Sequence, residues 1–149
     1  MENQRLINNL NQLLANSFVL YVKLQRYHWY VQGRHFFELH DRFEEMYTMF
    51  AEKIDEIAER ILMIHGKPIA TMTKFLKETT LEEATADDKE NELIKQLHND
   101  YEQIVKEIVE ESIPLAENVA DEPTLDLLID IQGTLEKYMW MLRAYQAYE

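Results

Sequence analysis

The chain has 149 residues, a net charge of −13, three glycines, three prolines and no cysteine. No cysteine means no disulfide framework and no thiolate metal site; no apolar run is long enough to cross a bilayer, and no basic-then-apolar leader opens the chain. One domain of this length buries a sizeable core, and the expectation is a cytoplasmic protein whose acidic surface repels nucleic acid and attracts cations or, more plainly, just keeps it soluble.

Residues 4–32 form the first predicted helix, because Ile7, Leu10, Leu14, Phe18, Tyr21, Leu24 and His28 recur at three- and four-residue steps. His28 thus falls on the apolar stripe, and Gly33 breaks the run. The second helix spans 36–65 on Phe36, Leu39, Phe43, Met46, Tyr47, Phe50, Ile54, Ile57, Ile61 and Ile64, with Gly66 and Pro68 as its stop signal. Residues 66–87 are non-periodic. Within them Thr80 and Glu83 read as a capping box opening one short helix. Asp87 with Glu90 repeats that device ahead of a third long helix, striped by Leu93, Leu97, Tyr101, Ile104, Ile108, Val109 and Leu115, which Pro114 should kink or end early. Pro123 fits the first turn of a fourth, carrying Leu125, Leu128, Ile131, Leu135, Tyr138, Met139, Leu142 and Tyr145, with Trp140 read as core. No segment has a strand's period. The sum is an all-α, four-helix bundle with a long crossover carrying a short extra helix, the connectivity of ferritin-like folds.

His28 and His40 stand twelve residues apart, and Asp55 and Glu59 follow fifteen or more residues later. Imidazole with carboxylate suits iron, manganese or zinc. Taken singly, each histidine reads as a core imidazole bonded to a backbone carbonyl, and Asp55 with Glu59 as an i,i+4 acidic pair that repels itself unless a cation neutralises it. On one helix His40 and Asp55 lie about 22 Å apart along the axis, far beyond metal–ligand bonds of about 2 Å. Either the two pairs are unrelated, or an antiparallel copy from a second subunit completes the site. No Glu-x-x-His occurs in the chain, so the di-iron site that ferritin-like bundles build inside one subunit is not encoded.

His28-Trp29, Gly33, Phe36-Phe37-Glu38-Leu39-His40, Phe43-Glu44 and Asp55-Glu56-Ile57-Ala58-Glu59-Arg60 resemble the Dps family, or mini-ferritins, and the resemblance runs through Trp140-Met141-Leu142. It implies a shell of twelve identical subunits with ferroxidase sites at two-fold interfaces, His28 and His40 coming from one subunit and Asp55 and Glu59 from its partner. That is one of the two arrangements the helix geometry left open. Glu44 stands where many relatives carry aspartate, and it reads as a direct ligand, a water-mediated one, or a partner of His40. Trp29, beside His28, reads either as an electron donor to the metal or as packing at the subunit contact. Asp121, Asp126 and Asp130 fall where relatives line three-fold pores that admit cations; the plainer alternative is a helix cap for Asp121 and a solvated face for the others. Glu45, Glu52 and Glu56 are candidates for mineral nucleation, whereas His35, His65 and His98 read as surface or loop residues.

The implied activity is oxidation of Fe2+ by peroxide or dioxygen, with storage of the Fe3+ mineral and protection against oxidative damage, at a site that also suits zinc or another divalent metal. Neither Met1-Glu2-Asn3-Gln4-Arg5 nor Tyr145-Gln146-Ala147-Tyr148-Glu149 supplies a lysine-rich tail, so DNA binding is not expected. A reading of a different class is an acidic helical-bundle interaction protein with structural histidines. A third, a DNA-compacting protein without iron storage, is disfavoured by charge.

Overall fold

A computed structural model describes residues 2–85 and 89–147. Four long helices appear as the stripes predict: α1 (Glu2–Tyr30), α2 (Phe36–Met63), α4 (Glu90–Glu107) and α6 (Glu122–Gln146), with the short helices α3 (Met72–Glu78) and α5 (Ile113–Asn118) between them. The helix α1 packs along α2, and α4 along α6. Among the described residues no strand forms; one isolated parallel bridge joins Gln32 to Lys89. The core is continuous, from Leu6, Leu10 and Leu14 on α1 through Phe43, Phe50 and Ile57 on α2 to Leu97, Tyr101, Leu128 and Leu135. No described helix is long and apolar enough to cross a membrane.

The end of α2 differs from its expected cause. The left-handed residue is His65, at φ 70°, not Gly66. The Gly66 N–H donates to the Ile61 carbonyl at 2.8 Å and the His65 N–H to that of Leu62 at 3.0 Å, a Schellman closure of the last turn. Gly66 is needed for a different reason: a Cβ there would lie 2.8 Å from Ile7 Cγ2 and 2.9 Å from Ile61 Cγ2, so only glycine lets this turn settle on α1.

The crossover also departs from expectation. Thr80 does not open a helix. Thr71 caps α3, its hydroxyl accepting from the Lys74 N–H at 3.3 Å, while Thr80 is held by Asn16, a residue nearly inaccessible to solvent. Asn16 Oδ1 accepts from the Thr80 N–H at 2.9 Å and the Thr79 hydroxyl at 2.6 Å, and its amide donates to Glu107 at 3.1 Å. Two further polar side chains on α1 grip the same segment. Asn11 bonds the Lys67 carbonyl and the Ile69 N–H; buried Lys23 donates to the Glu82 carbonyl at 2.9 Å and to Asp100 at 2.5 Å. A buried polar group costs stability unless it is bonded, so these three fix the path of the crossover. Asp87, read as a cap for the third long helix, lies outside the described residues.

As expected ahead of Pro114, the third long α-helix ends early, at Glu107. The stretch Ile108–Ser112 is a π-turn, followed by α5 with Pro114 in its first turn. The proline has no N–H to donate and its ring crowds the carbonyl four residues back, and a widened turn absorbs both. Val109, assigned to the apolar stripe, is exposed, whereas Ser112 and Ala116 are buried. Trp140 is likewise corrected: it is 57% exposed, because Leu135, Met139 and Leu142 take the buried face of α6 and Trp140 falls off it.

Candidate metal centre

His28 sits in the last turn of α1 and His40 in the second turn of α2, and the two imidazoles form a reciprocal pair. His28 Nδ1 is 2.6 Å from the His40 carbonyl oxygen, and His40 Nδ1 is 2.7 Å from that of His28. A carbonyl oxygen can only accept, so both Nδ1 atoms carry a proton, and in the neutral form of each ring Nε2 keeps a free lone pair. The rings stack at 3.7 Å between centroids and 12° between planes. Phe36 stacks on His40 at 5.0 Å, and Tyr47 presents an edge to His28 at 5.6 Å. His28 is only 7% exposed. The two imidazoles are oriented side by side with Nε2 away from the backbone bond, and that bond is of the kind that usually fixes a ligating ring.

Glu44, one turn beyond His40, brings Oε1 to 3.7 Å from His28 Nε2 while its side chain stays largely in solvent. Asp55 and Glu59 lie further along the same uninterrupted helix, exposed. Neither forms an ion pair among the described residues. The neighbouring cations are turned elsewhere: Lys53 to Asp130 at 2.6 Å and Glu56 at 3.3 Å, and Arg60 to Asp121 at 3.0 Å. Within a single chain no group of three or more His, Asp or Glu donors gathers as a metal site among the described residues. One chain therefore presents two separate parts: a wired histidine pair with Glu44, and a bare carboxylate pair about 16–28 Å along α2.

A ferritin-like domain family matches residues 7–148. DNA protection during starvation protein 2 of Bacillus anthracis is 45% identical over 143 residues, 96% of this chain and 97% of that protein. The chain belongs to the Dps family of ferritin-like proteins. Among solved structures, a Dps protein from Bacillus brevis superposes with a TM-score of 0.95 at 41% identity, covering 97% of each chain. The Dps protein of Vibrio cholerae O1, described as a member of a broad superfamily of ferritin-like diiron-carboxylate proteins, superposes at 0.93 with 37% identity over 97% of this chain and 91% of its own.

In this Dps chain the remaining predicted residues are spread over distinct environments. Trp29 is 65% exposed beside His28. Asp121 caps α6, accepting from the Thr124 N–H at 3.1 Å and its hydroxyl at 2.6 Å, and pairs with Arg60. Burial pushes the Asp121 carboxyl up, but the Thr124 bonds and the Arg60 guanidinium outweigh it and hold it below the ordinary range. Asp130 is engaged by Lys53, whereas Asp126 is exposed. Glu45 accepts from Tyr138 at 2.9 Å and from Arg42 at 2.8 Å, Glu56 is paired with Lys53, and Glu52 is exposed. His98 lies 3.3 Å from Arg143. His35, expected as a plain loop residue, is bonded to Glu90 and Tyr145. Sequence reading gives Glu90 only the part of a capping-box acid, because His35 and Tyr145 each lie 55 residues away.

Proposed function

We propose that this Dps-family chain is an iron-sequestering ferroxidase acting as a closed homo-oligomeric shell, with Fe2+ as substrate. The observation that carries this reading is the reciprocal Nδ1–H bonding of His28 and His40, which leaves two oriented Nε2 donors facing an incomplete shell beside Glu44. Asp55 and Glu59 of the partner subunit complete it. Antiparallel apposition of two α2 helices about a two-fold axis brings each bare carboxylate pair to the other chain's histidines, and isologous contacts of this kind repeat the site on both sides. Carboxylates favour the ferric ion, since the harder, more highly charged metal gains more from anionic oxygen. With peroxide as oxidant, two Fe2+ each give one electron, the O–O bond breaks, and two protons complete two waters; dioxygen serves through the same site. Fe3+ then leaves for the cavity, where exposed Glu52 is the foremost nucleation candidate. At the three-fold pores, Asp126 carries the electrostatic entry role, Asp121 and Asp130 being already paired. Trp29 either supplies an electron during oxidation or packs at the two-fold contact. Zinc or another divalent ion competes for the same donors.

The test loads the wild type and a His40→Ala/Asp55→Ala variant with Fe2+ anaerobically, then adds peroxide and, separately, air, following oxidation by absorbance. Wild type oxidises rapidly, and the variant does not, although light scattering gives both the mass of twelve 17.9 kDa chains, about 215 kDa. Equal rates in both proteins would refute an intersubunit ferroxidase, and a monomeric wild type would favour a helical-bundle interaction protein. The net charge of −13 opposes the phosphate contacts on which DNA affinity rests. A gel shift at physiological salt without added metal is expected to show free plasmid; retardation would overturn that.

A further inference from the structure

The five-residue connection 31–35 joins the two metal histidines, and a side chain from a distant helix holds it. Glu90 is the first residue of α4. Its Oε1 accepts from the His35 N–H at 2.6 Å, and its Oε2 lies 3.1 Å from His35 Nδ1 and accepts the Tyr145 hydroxyl at 2.9 Å. His35 is the N-cap of α2 and makes no side-chain cap of its own. The Glu90 carboxylate thus serves the start of two helices at once, where negative charge is favoured. Gly33 lies close against it: at φ 146°, a Cβ there would run into Glu90 Oε1. The Gln32–Lys89 bridge adds a backbone tie beside it. Burial works to raise the Glu90 carboxyl, yet the His35 and Tyr145 bonds prevail and lower it, so it is ionised at neutral pH.

We propose that Glu90 is a positioning residue for the His28–His40 pair: by clamping the 31–35 loop to α4 it fixes the offset between the ends of α1 and α2, and so keeps both imidazoles Nδ1-protonated with Nε2 free. The reciprocal bonds at 2.6 and 2.7 Å tolerate little sliding of one helix end against the other. Glu90 touches neither imidazole and acts only through the loop. Its consequence for metal affinity rests on the ferroxidase reading above.

Two readouts keep the two ideas separate. In metal-free, histidine-labelled protein, aromatic NMR spectra report the tautomer of each of the five histidines. Wild type shows His28 and His40 as single Nδ1–H tautomers, and Glu90→Ala shows mixed tautomers at both while the assembly mass is unchanged. Glu90→Gln, which keeps an acceptor for the His35 N–H, restores most of the pattern; Tyr145→Phe, which removes one bond to the carboxylate, shows a partial change and serves if Glu90→Ala does not fold. Titration with Co2+ then shows a loss of about tenfold or more in affinity for Glu90→Ala, the range usual for loss of an outer-shell partner. Unchanged His28 and His40 tautomers in both Glu90→Ala and Tyr145→Phe overturn the proposal. Mixed tautomers in Glu90→Ala, with no Co2+ bound to wild type, uphold the clamp and sink the ferroxidase reading instead.

Discussion

The two ends of α2 are organised by opposite rules. At the N-terminal end His40 is locked by a backbone carbonyl from another helix, flanked by Phe36 and stacked on His28. Toward the C-terminal end Asp55 and Glu59 stand in solvent, while Lys53 and Arg60 turn away to Asp130 and Asp121. An imidazole has two nitrogens and a proton that must sit on the correct one, so a histidine ligand needs preparation before metal arrives. A carboxylate presents equivalent oxygens and needs no such choice. The chain invests structure in the half that requires it.

The largest break of this contrast is expected at the histidines. His28→Ala should abolish metal binding at the pair and also cost about 1–3 kcal/mol of stability, because it leaves a cavity and strands the bonded partner; Co2+ titration and thermal unfolding check the two effects. Asp121→Ala tests the supporting side of the carboxylate half. Its folded pKa lies below the unfolded value of about 3.9, so its stabilisation is present above that pH and fades as pH falls through the depressed value. The variant should lose about 1–2 kcal/mol at neutral pH, by cap removal, and the gap to wild type should narrow below about pH 4 in pH-resolved denaturation. The smallest effect has the opposite sign. Glu59→Gln relieves repulsion with Asp55 and should raise the stability of metal-free protein by about 0.2–0.5 kcal/mol, even as it slows iron oxidation. A destabilised Glu59→Gln would mean that these carboxylates have a structural partner and are not held in reserve.

Much of this was legible in the sequence because it rests on local periodicity and fixed spacing. The apolar stripes place α1, α2 and α6 to within a few residues and the start of α4, and the spacings put His28, His40, Asp55 and Glu59 on the two helices that carry them. What escaped depends on contacts far apart in the chain. Thr80 has a capping residue's chemistry but is claimed by Asn16, 64 residues earlier. Gly66 looked like a left-handed terminator, yet its role is set by Ile7 across the helix interface. Glu90 looked like an ordinary first-turn acid, and only the folded chain brings it to His35.

The π-turn at Ile108–Ser112 explains one further misreading. From Ile104 the buried positions run Ile108, Ser112 and Ala116, three successive steps of four. On an ordinary α-helix each such step overshoots a full turn by about 40°, so the inward face would wander round to solvent. A wider turn holds more residues and cancels the drift. The insertion that accommodates Pro114 therefore also acts as a phase correction. It lets small Ser112 and Ala116 take buried positions, with the Ser112 hydroxyl donating to Asn9 on α1, while Leu115 packs half-buried on the core and Val109 stays outside.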